Sequence, residues 1–172
     1  PALPTHLLAE ESPNGSPFPF LLLTPKHHTR FLNSSYSHLP NHGGREGGPF
    51  LECSAADAAR IGATEGATVR VHNRFGALEA PVKLTDELMR GVVAMTHGWG
   101  HGRSHGLRFA QSTPGVNCNV LLPSGPGAYE PISNQAHMTG IPVEVQPAGR
   151  EPRGSRPQPV RSPPVDRSLA GH

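Results

Sequence analysis

With 172 residues, 35% of them hydrophobic and only 5% aromatic, the chain has material for one domain around a modest core. Its formal net charge is only +2, and the arginines that help set the sign stand among prolines near the end, with no aromatic partners, which argues against a nucleic-acid reader. No apolar run approaches a membrane span, and two cysteines supply neither a disulfide framework nor the ligands of an iron–sulfur cluster.

These limits lead one to expect a cytoplasmic protein with no nucleic-acid partner and no membrane insertion. Nothing has the charged start and apolar middle of a signal peptide. The sequence opens at Pro1 rather than at methionine, so it reads as a fragment or processed product whose upstream signals lie out of view. Its 20 glycines and 20 prolines are unevenly spread. Residues 1–18 read as a Pro-rich linker, 19–147 as the domain, and 148–172 as a disordered tail rich in arginine and proline.

The first expected strand is the apolar run Phe18 to Leu23, bounded by turn residues. It delivers Thr24-Pro25-Lys26-His27-His28-Thr29-Arg30-Phe31-Leu32-Asn33-Ser34-Ser35, which crowds cations, imidazoles, hydroxyls and a carboxamide into one stretch. Such a mixture suits a polar surface loop. It also suits a loop presented by a rigid strand to an anionic, acceptor-rich ligand. Tyr36 to Gly48 reads as loop, and Pro40 and its glycines argue against a helix that would offer His38 and His42 to a metal.

Pro49 to Cys53 can form a short strand. Ser54-Ala55-Ala56-Asp57 then has an N-cap with a carboxylate three residues on, and Gly62 stops the two-turn helix. Val69 and Val71 alternate with Arg70 and His72, and Asn73-Arg74-Phe75-Gly76 turns the chain into a second alternating run from Ala77 to Leu84. This hairpin reads as scaffold. Thr85 to Arg90 is a turn.

The most informative stretch follows, Gly91-Val92-Val93-Ala94-Met95-Thr96-His97-Gly98-Trp99-Gly100-His101. A β-branched run breaks into glycines that carry the single tryptophan, so a strand delivers a loop in which His97, Trp99 and His101 offer ring faces and nitrogens. A plain surface loop packed around its tryptophan fits the same residues. His97, His101 and His105 have helical spacing, but the glycines between them oppose a helix and hence a three-histidine metal site. Gly102 to Gly115 is irregular, with Arg103, His105 and Arg108 as cations.

Val116 to Leu122, if extended, puts Asn117 and Asn119 on one face, two amides suited to the edge of a heterocycle. Cys118 between them could lie near a ligand, although no neighbouring charge marks an activated thiol. Ser133 to Met138 forms another polar cluster, with Gln135 in it. Ile141 to Val145 closes the fold as a last strand, Pro142 pointing to an edge or a strand start.

Many short strands, a few short helices and polar clusters that follow or interrupt apolar runs describe a mainly β protein, a small barrel with its functional loops gathered at one end. Cations for a diphosphate, amides for a base or pterin edge and an indole for stacking point to a nucleotide-like cofactor.

The ordered series Ser54 to Gly62, Gly66-Ala67-Thr68-Val69-Arg70-Val71, Gly91-Val92-Val93, His97-Gly98-Trp99-Gly100-His101, Gly115-Val116-Asn117 and Gly140-Ile141-Pro142-Val143-Glu144-Val145 resembles the C-terminal molybdopterin-dinucleotide-binding domain of the molybdenum and tungsten oxidoreductases. That superfamily includes formate dehydrogenases, dimethyl sulfoxide reductases and nitrate reductases. The resemblance covers about Phe20 to Pro147. It implies a double-psi β-barrel closing over one molybdopterin guanine dinucleotide of a molybdenum or tungsten bis(molybdopterin guanine dinucleotide) centre, and lining part of the active-site funnel. It also implies that Thr24, Lys26, His27, His28, Arg30, Asn33, Ser34, His97, Trp99, His101, Asn117 or Asn119, and Gln135 contact the cofactor.

The metal ligand and any iron–sulfur cluster would belong to upstream domains of the same enzyme, which are the implied protein partners. The chain would not be catalytic alone, and Cys53 and Cys118 match neither role. Two other readings share the barrel: a cofactor-free recognition module, and a self-processing decarboxylase. The latter needs an internal Gly-Ser cleavage site, and Gly15-Ser16 and Gly154-Ser155 lie in the expected linkers.

Overall fold

The computed structural model describes residues 18–26, 49–102, 104–112, 115–125, 128–130 and 132–149, in which six short strands close into a barrel. They are β1 (Phe20–Leu23), β2 (Leu51–Cys53), β3 (Thr68–His72), β4 (Ala77–Leu84), β5 (Val92–Ala94) and β6 (Ile141–Pro147). Around the barrel the order is β1, β5, β2, β4, β3, β6. β1 runs parallel to β5 and β2 parallel to β4, while all other neighbours are antiparallel.

Exchanging β1 for β4, β2 for β5 and β3 for β6 leaves every neighbour and every direction in that circuit unchanged. Two interlocked copies of one three-strand path therefore make the wall. This is the double-psi β-barrel, mainly β with short helices, that the sequence led one to expect. The Pro-rich lead, residues 27–48 with His38 and His42, and the tail after residue 149 lie outside the described residues.

The wall follows from side-chain alternation. Phe20 and Leu22, Leu51 and Cys53, Val69 and Val71, Leu78, Ala80 and Val82, and Val143 and Val145 are buried in one core cluster, with the residues between them less buried. Closure leaves no sheet edge, and Pro142 takes the other position expected of it, second in β6 opposite Leu21.

The strand directions decide which connections share an end. The chain leaves β1, β3 and β5 at one end, here called the mouth, and enters β2, β4 and β6 there. The opposite end, the foot, holds α1 (Ala55–Ile61) and the turn before β5.

At the foot, Ser54 caps α1 by accepting from the Asp57 N–H at 3.1 Å, and Gly62 ends it in the left-handed conformation at φ 76. Asp57 is only 3% exposed. Its Oδ2 accepts from the Ser54 hydroxyl at 2.9 Å and from the Gly91 N–H at 2.8 Å, and its Oδ1 lies 3.2 Å from the Arg60 guanidinium. Arg60 in turn stacks 4.4 Å above the Phe20 ring. One short helix thereby ties down the start of β5 and the start of β1, the parallel pair.

One element differs from expectation. Val116 to Leu122 does not run extended but turns into a 3-10 helix, Cys118–Leu121, because the Asn117 side-chain oxygen accepts from the Asn119 N–H at 3.0 Å and caps it. Local side-chain bonding outcompetes the strand that the apolar residues favour.

His72 projects from the outside of β3, its side chain 13% exposed and its Nε2 3.6 Å from the Glu144 carboxylate, with Phe18 edge-on to its ring. Burial pushes its pKa below the ordinary 6.5, more than nearby Glu144 raises it. A depressed folded-state pKa means the unfolded chain binds the proton first, so His72 contributes stability above pH 6.5 that is lost as pH falls through the folded value. Urea unfolding of His72→Gln across this range is expected to show a shallower decline on the acid side, and an unchanged slope would remove His72 from the account. Asp57→Ala, which orphans the Gly91 N–H, is expected to lower unfolding free energy by about 3 kcal/mol. Glu52→Gln, which breaks the exposed 2.7 Å pair with Lys83, serves as the control at under about 1 kcal/mol.

Candidate functional site

The parallel pair continues past its strands into the mouth. Met95 N–H donates to the Leu23 carbonyl at 3.0 Å and His97 N–H to the Pro25 carbonyl at 3.2 Å, so the loops after β1 and β5 travel side by side. His97 Nδ1 lies 2.9 Å from the Thr24 carbonyl. A carbonyl only accepts, which assigns the proton of that contact to Nδ1. The Thr24 hydroxyl donates to the Met138 carbonyl, so Thr24 joins three segments: its own, the His97 loop and the chain leading to β6. Lys26 is exposed beyond it.

Trp99 is turned inward. It is 4% exposed, and its indole N–H donates to the Thr96 hydroxyl at 2.9 Å, so it props the loop from within. Gly100, at φ 69, packs backbone to backbone, since a Cβ there would stand 2.4 Å from the Val116 carbonyl carbon and 2.5 Å from the Asn117 nitrogen. The His-Trp loop and the asparagine segment are therefore in direct contact. His101, next along, has a buried Nε2 with no hydrogen-bond partner among the described residues.

Asn117 and Asn119 are both exposed in the first half of one short turn, Asn117 as its N-cap and Asn119 as its second residue. The oxygen of Asn117 is taken by the Asn119 N–H, while its NH2 has no partner among the described residues. The Asn119 oxygen lies 3.9 Å from the Cys118 thiol. Cys118 and Cys53 are both buried, and burial pushes both thiols up, with Asp57 and Glu65 adding to the rise at Cys53. Neither is an activated nucleophile.

Gln135 is exposed in a loop that Glu130 organises. The Glu130 carboxylate accepts from the Ser133 hydroxyl at 2.7 Å and from the Ser133 and Ile132 N–H groups at 2.6 and 3.1 Å. The Ser133 hydroxyl and backbone bonds hold its pKa below the usual carboxylate range. Residues 95–140 contain no acid other than Glu130 and carry Arg103, Arg108 and four histidines, a composition that suits an anionic ligand. No group of three or more His, Cys, Asp or Glu side chains among the described residues could hold a metal ion.

Of the sequence-predicted site residues, Thr24, Lys26, His97, Trp99, His101, Asn117, Asn119 and Gln135 all lie on mouth connections. Contacts join Thr24 to His97 and to Met138, and Gly100 to Asn117. His27, His28, Arg30, Asn33 and Ser34 lie outside the described residues. Sequence reading missed the Glu130 carboxylate that organises the Gln135 loop and the Asn73 amide that bonds the Leu121 carbonyl. Asn73 at the head of an Asn-Arg-Phe-Gly turn signals the turn itself, and nothing local signals where the rest of its amide goes.

A sequence profile of the "Molydopterin dinucleotide binding domain" matches residues 20–139. The chain is 32% identical over 100 residues to "Probable oxidoreductase YoaE" of Bacillus subtilis, a match that covers 58% of this chain and 14% of that one. Its fold superposes on the acetylene hydratase of Pelobacter acetylenicus with a TM-score of 0.69 at 18% identity, covering 84% of this chain and 21% of that one. The chain thus spans a small fraction of the length of both.

Proposed function

The chain belongs to the molybdopterin dinucleotide-binding domain family, and from that premise we propose that its barrel mouth closes over a molybdopterin guanine dinucleotide shared with other domains of a larger oxidoreductase. The observation that carries this reading is topological. Every described candidate residue stands on a connection at the same end of the barrel, and the loops that bear them touch.

The residues present suit such a group. The buried Nε2 of His101 has no hydrogen-bond partner among the described residues, and a polar ligand there would satisfy it. The Asn117 NH2 offers donors to the carbonyl or ring-nitrogen edge of a pterin or purine, which favours Asn117 over Asn119 as the heterocycle contact. Lys26, with Arg30 further along the same loop in sequence, offsets pyrophosphate charge. Trp99 acts as the prop that holds His97 and His101 in place, and Gln135 supplies a last polar contact.

When bound, the molybdenum or tungsten centre and its pterins supply the redox chemistry, while this chain binds, orients and shields them. In this reading the metal ligand, any iron–sulfur cluster and most of the substrate pocket reside in upstream domains, and the mouth lines one side of the funnel. The double-psi barrel alone gives half an enclosure, so retention depends on those partners.

The test is chemical analysis of the natural full-length protein. Molybdenum or tungsten together with guanosine monophosphate released by acid supports the reading, and a fully matured protein without either contradicts it. In the same protein, the double variant Lys26→Gln/Arg30→Gln is expected to lose the dinucleotide at least about tenfold faster on dilution, as removal of two charge-assisted contacts requires. Unchanged retention would take that loop out of the site.

A further inference from the structure

We propose that Asn73, a residue of the scaffold hairpin with no place in the site itself, is a positioning residue that locks the turn presenting Asn117 and Asn119. The proposal rests on the dinucleotide-binding reading above and extends it to the short β3–β4 turn, the one mouth connection that carries none of the candidate contact residues. The carboxamide of Asn73 is divided between two tasks. Its oxygen accepts from the Phe75 N–H at 2.9 Å and the Gly76 N–H at 3.2 Å, which shapes the β3–β4 turn. Its nitrogen donates to the Leu121 carbonyl at 2.8 Å and, at 3.4 Å, to the Pro142 carbonyl.

Leu121 is the last residue of the 3-10 helix that Asn117 caps, and its side chain is fully buried in the core. The amide of Asn73 therefore holds the end of a four-residue helix too short to be stable by itself, and fixes it against β6. Gly76 completes the seat. A Cβ there would stand 2.4 Å from the Val120 carbonyl oxygen, so the hairpin turn and the helix meet backbone to backbone. Among the described residues the asparagine segment meets the hairpin turn on one side and Gly100 of the His-Trp loop on the other, with Cys118 and Leu121 buried in the core between them.

Asn73→Asp keeps the acceptor that makes the turn and replaces the donor that holds Leu121 with a carboxylate oxygen that repels its carbonyl. Gly76→Ala disturbs the same seat from the backbone side and leaves Asn73 intact. In the natural full-length protein loaded with its dinucleotide, both variants are expected to release it about tenfold faster than the parent at temperatures where all remain folded. Hydrogen exchange at the Asn119, Val120 and Leu122 N–H groups, all bonded within this capped turn, is expected to accelerate by a similar factor in both. A purely structural role would lower the unfolding midpoint and leave release from the folded protein unchanged. Faster exchange with unaltered release, or neither change, overturns the proposal. A parent protein that never contains the dinucleotide overturns the binding reading instead, and exchange in the two variants still reports whether Asn73 seats the turn.

Discussion

Two parallel strands cannot be joined by a tight turn, and the β1–β5 and β2–β4 pairs impose that constraint on the whole molecule. The parallel partners are accordingly never consecutive in the chain; the longest connections, after β1 and after β5, each cross one intervening strand, and the strand directions send both to the same end. The mouth is rich in irregular, polar chain for this reason. The barrel is closed and rigid below it, which is the arrangement that lets loops hold a ligand in fixed geometry.

The register of the β1–β5 pair is secured at both ends. At the foot, the buried Asp57 carboxylate holds the Gly91 N–H and the Arg60 guanidinium, and Arg60 covers Phe20. At the mouth, backbone bonds from Met95 and His97 carry the pairing past the last strand residues. A one-residue slip of β5 would break both sets together and turn Val93 out of the core. The placement of His97 beside Thr24 accordingly sits on a strand pair whose register is held at both ends. On the opposite side of the mouth Asn73 and Gly76 do for the asparagine turn what Asp57 does for β5.

Much of this was legible in the residues. The Ser54–Asp57 cap with Gly62, the alternation of Val69 and Val71, the Asn73–Gly76 turn and the strand that breaks at His97 are local patterns, and local patterns survive in sequence. The family resemblance rested on their order, and the profile match over residues 20–139 agrees with it. What was not legible is long-range. Asp57 reads as a capping residue, yet its partner Gly91 is 34 positions away. Asn73 reads as a turn residue, yet its amide reaches Leu121, 48 positions on. Val116 to Leu122 read as a strand because its apolar residues outweighed the capping tendency of Asn117, and the competition went the other way. For Trp99 the sequence left a packed tryptophan and a ligand-facing ring both open, and the structure shows the packed one, its partner Thr96 unannounced.

Hydrogen exchange over the natural protein with and without its dinucleotide tests the central claim most directly, namely that one end of the barrel is the grip. Protection confined to residues 24–26, 96–102, 116–122 and 132–138, with the Gly62–Ala67 and Thr85–Arg90 foot segments unchanged, is the predicted result. Protection at the foot, or none at the mouth, would contradict it.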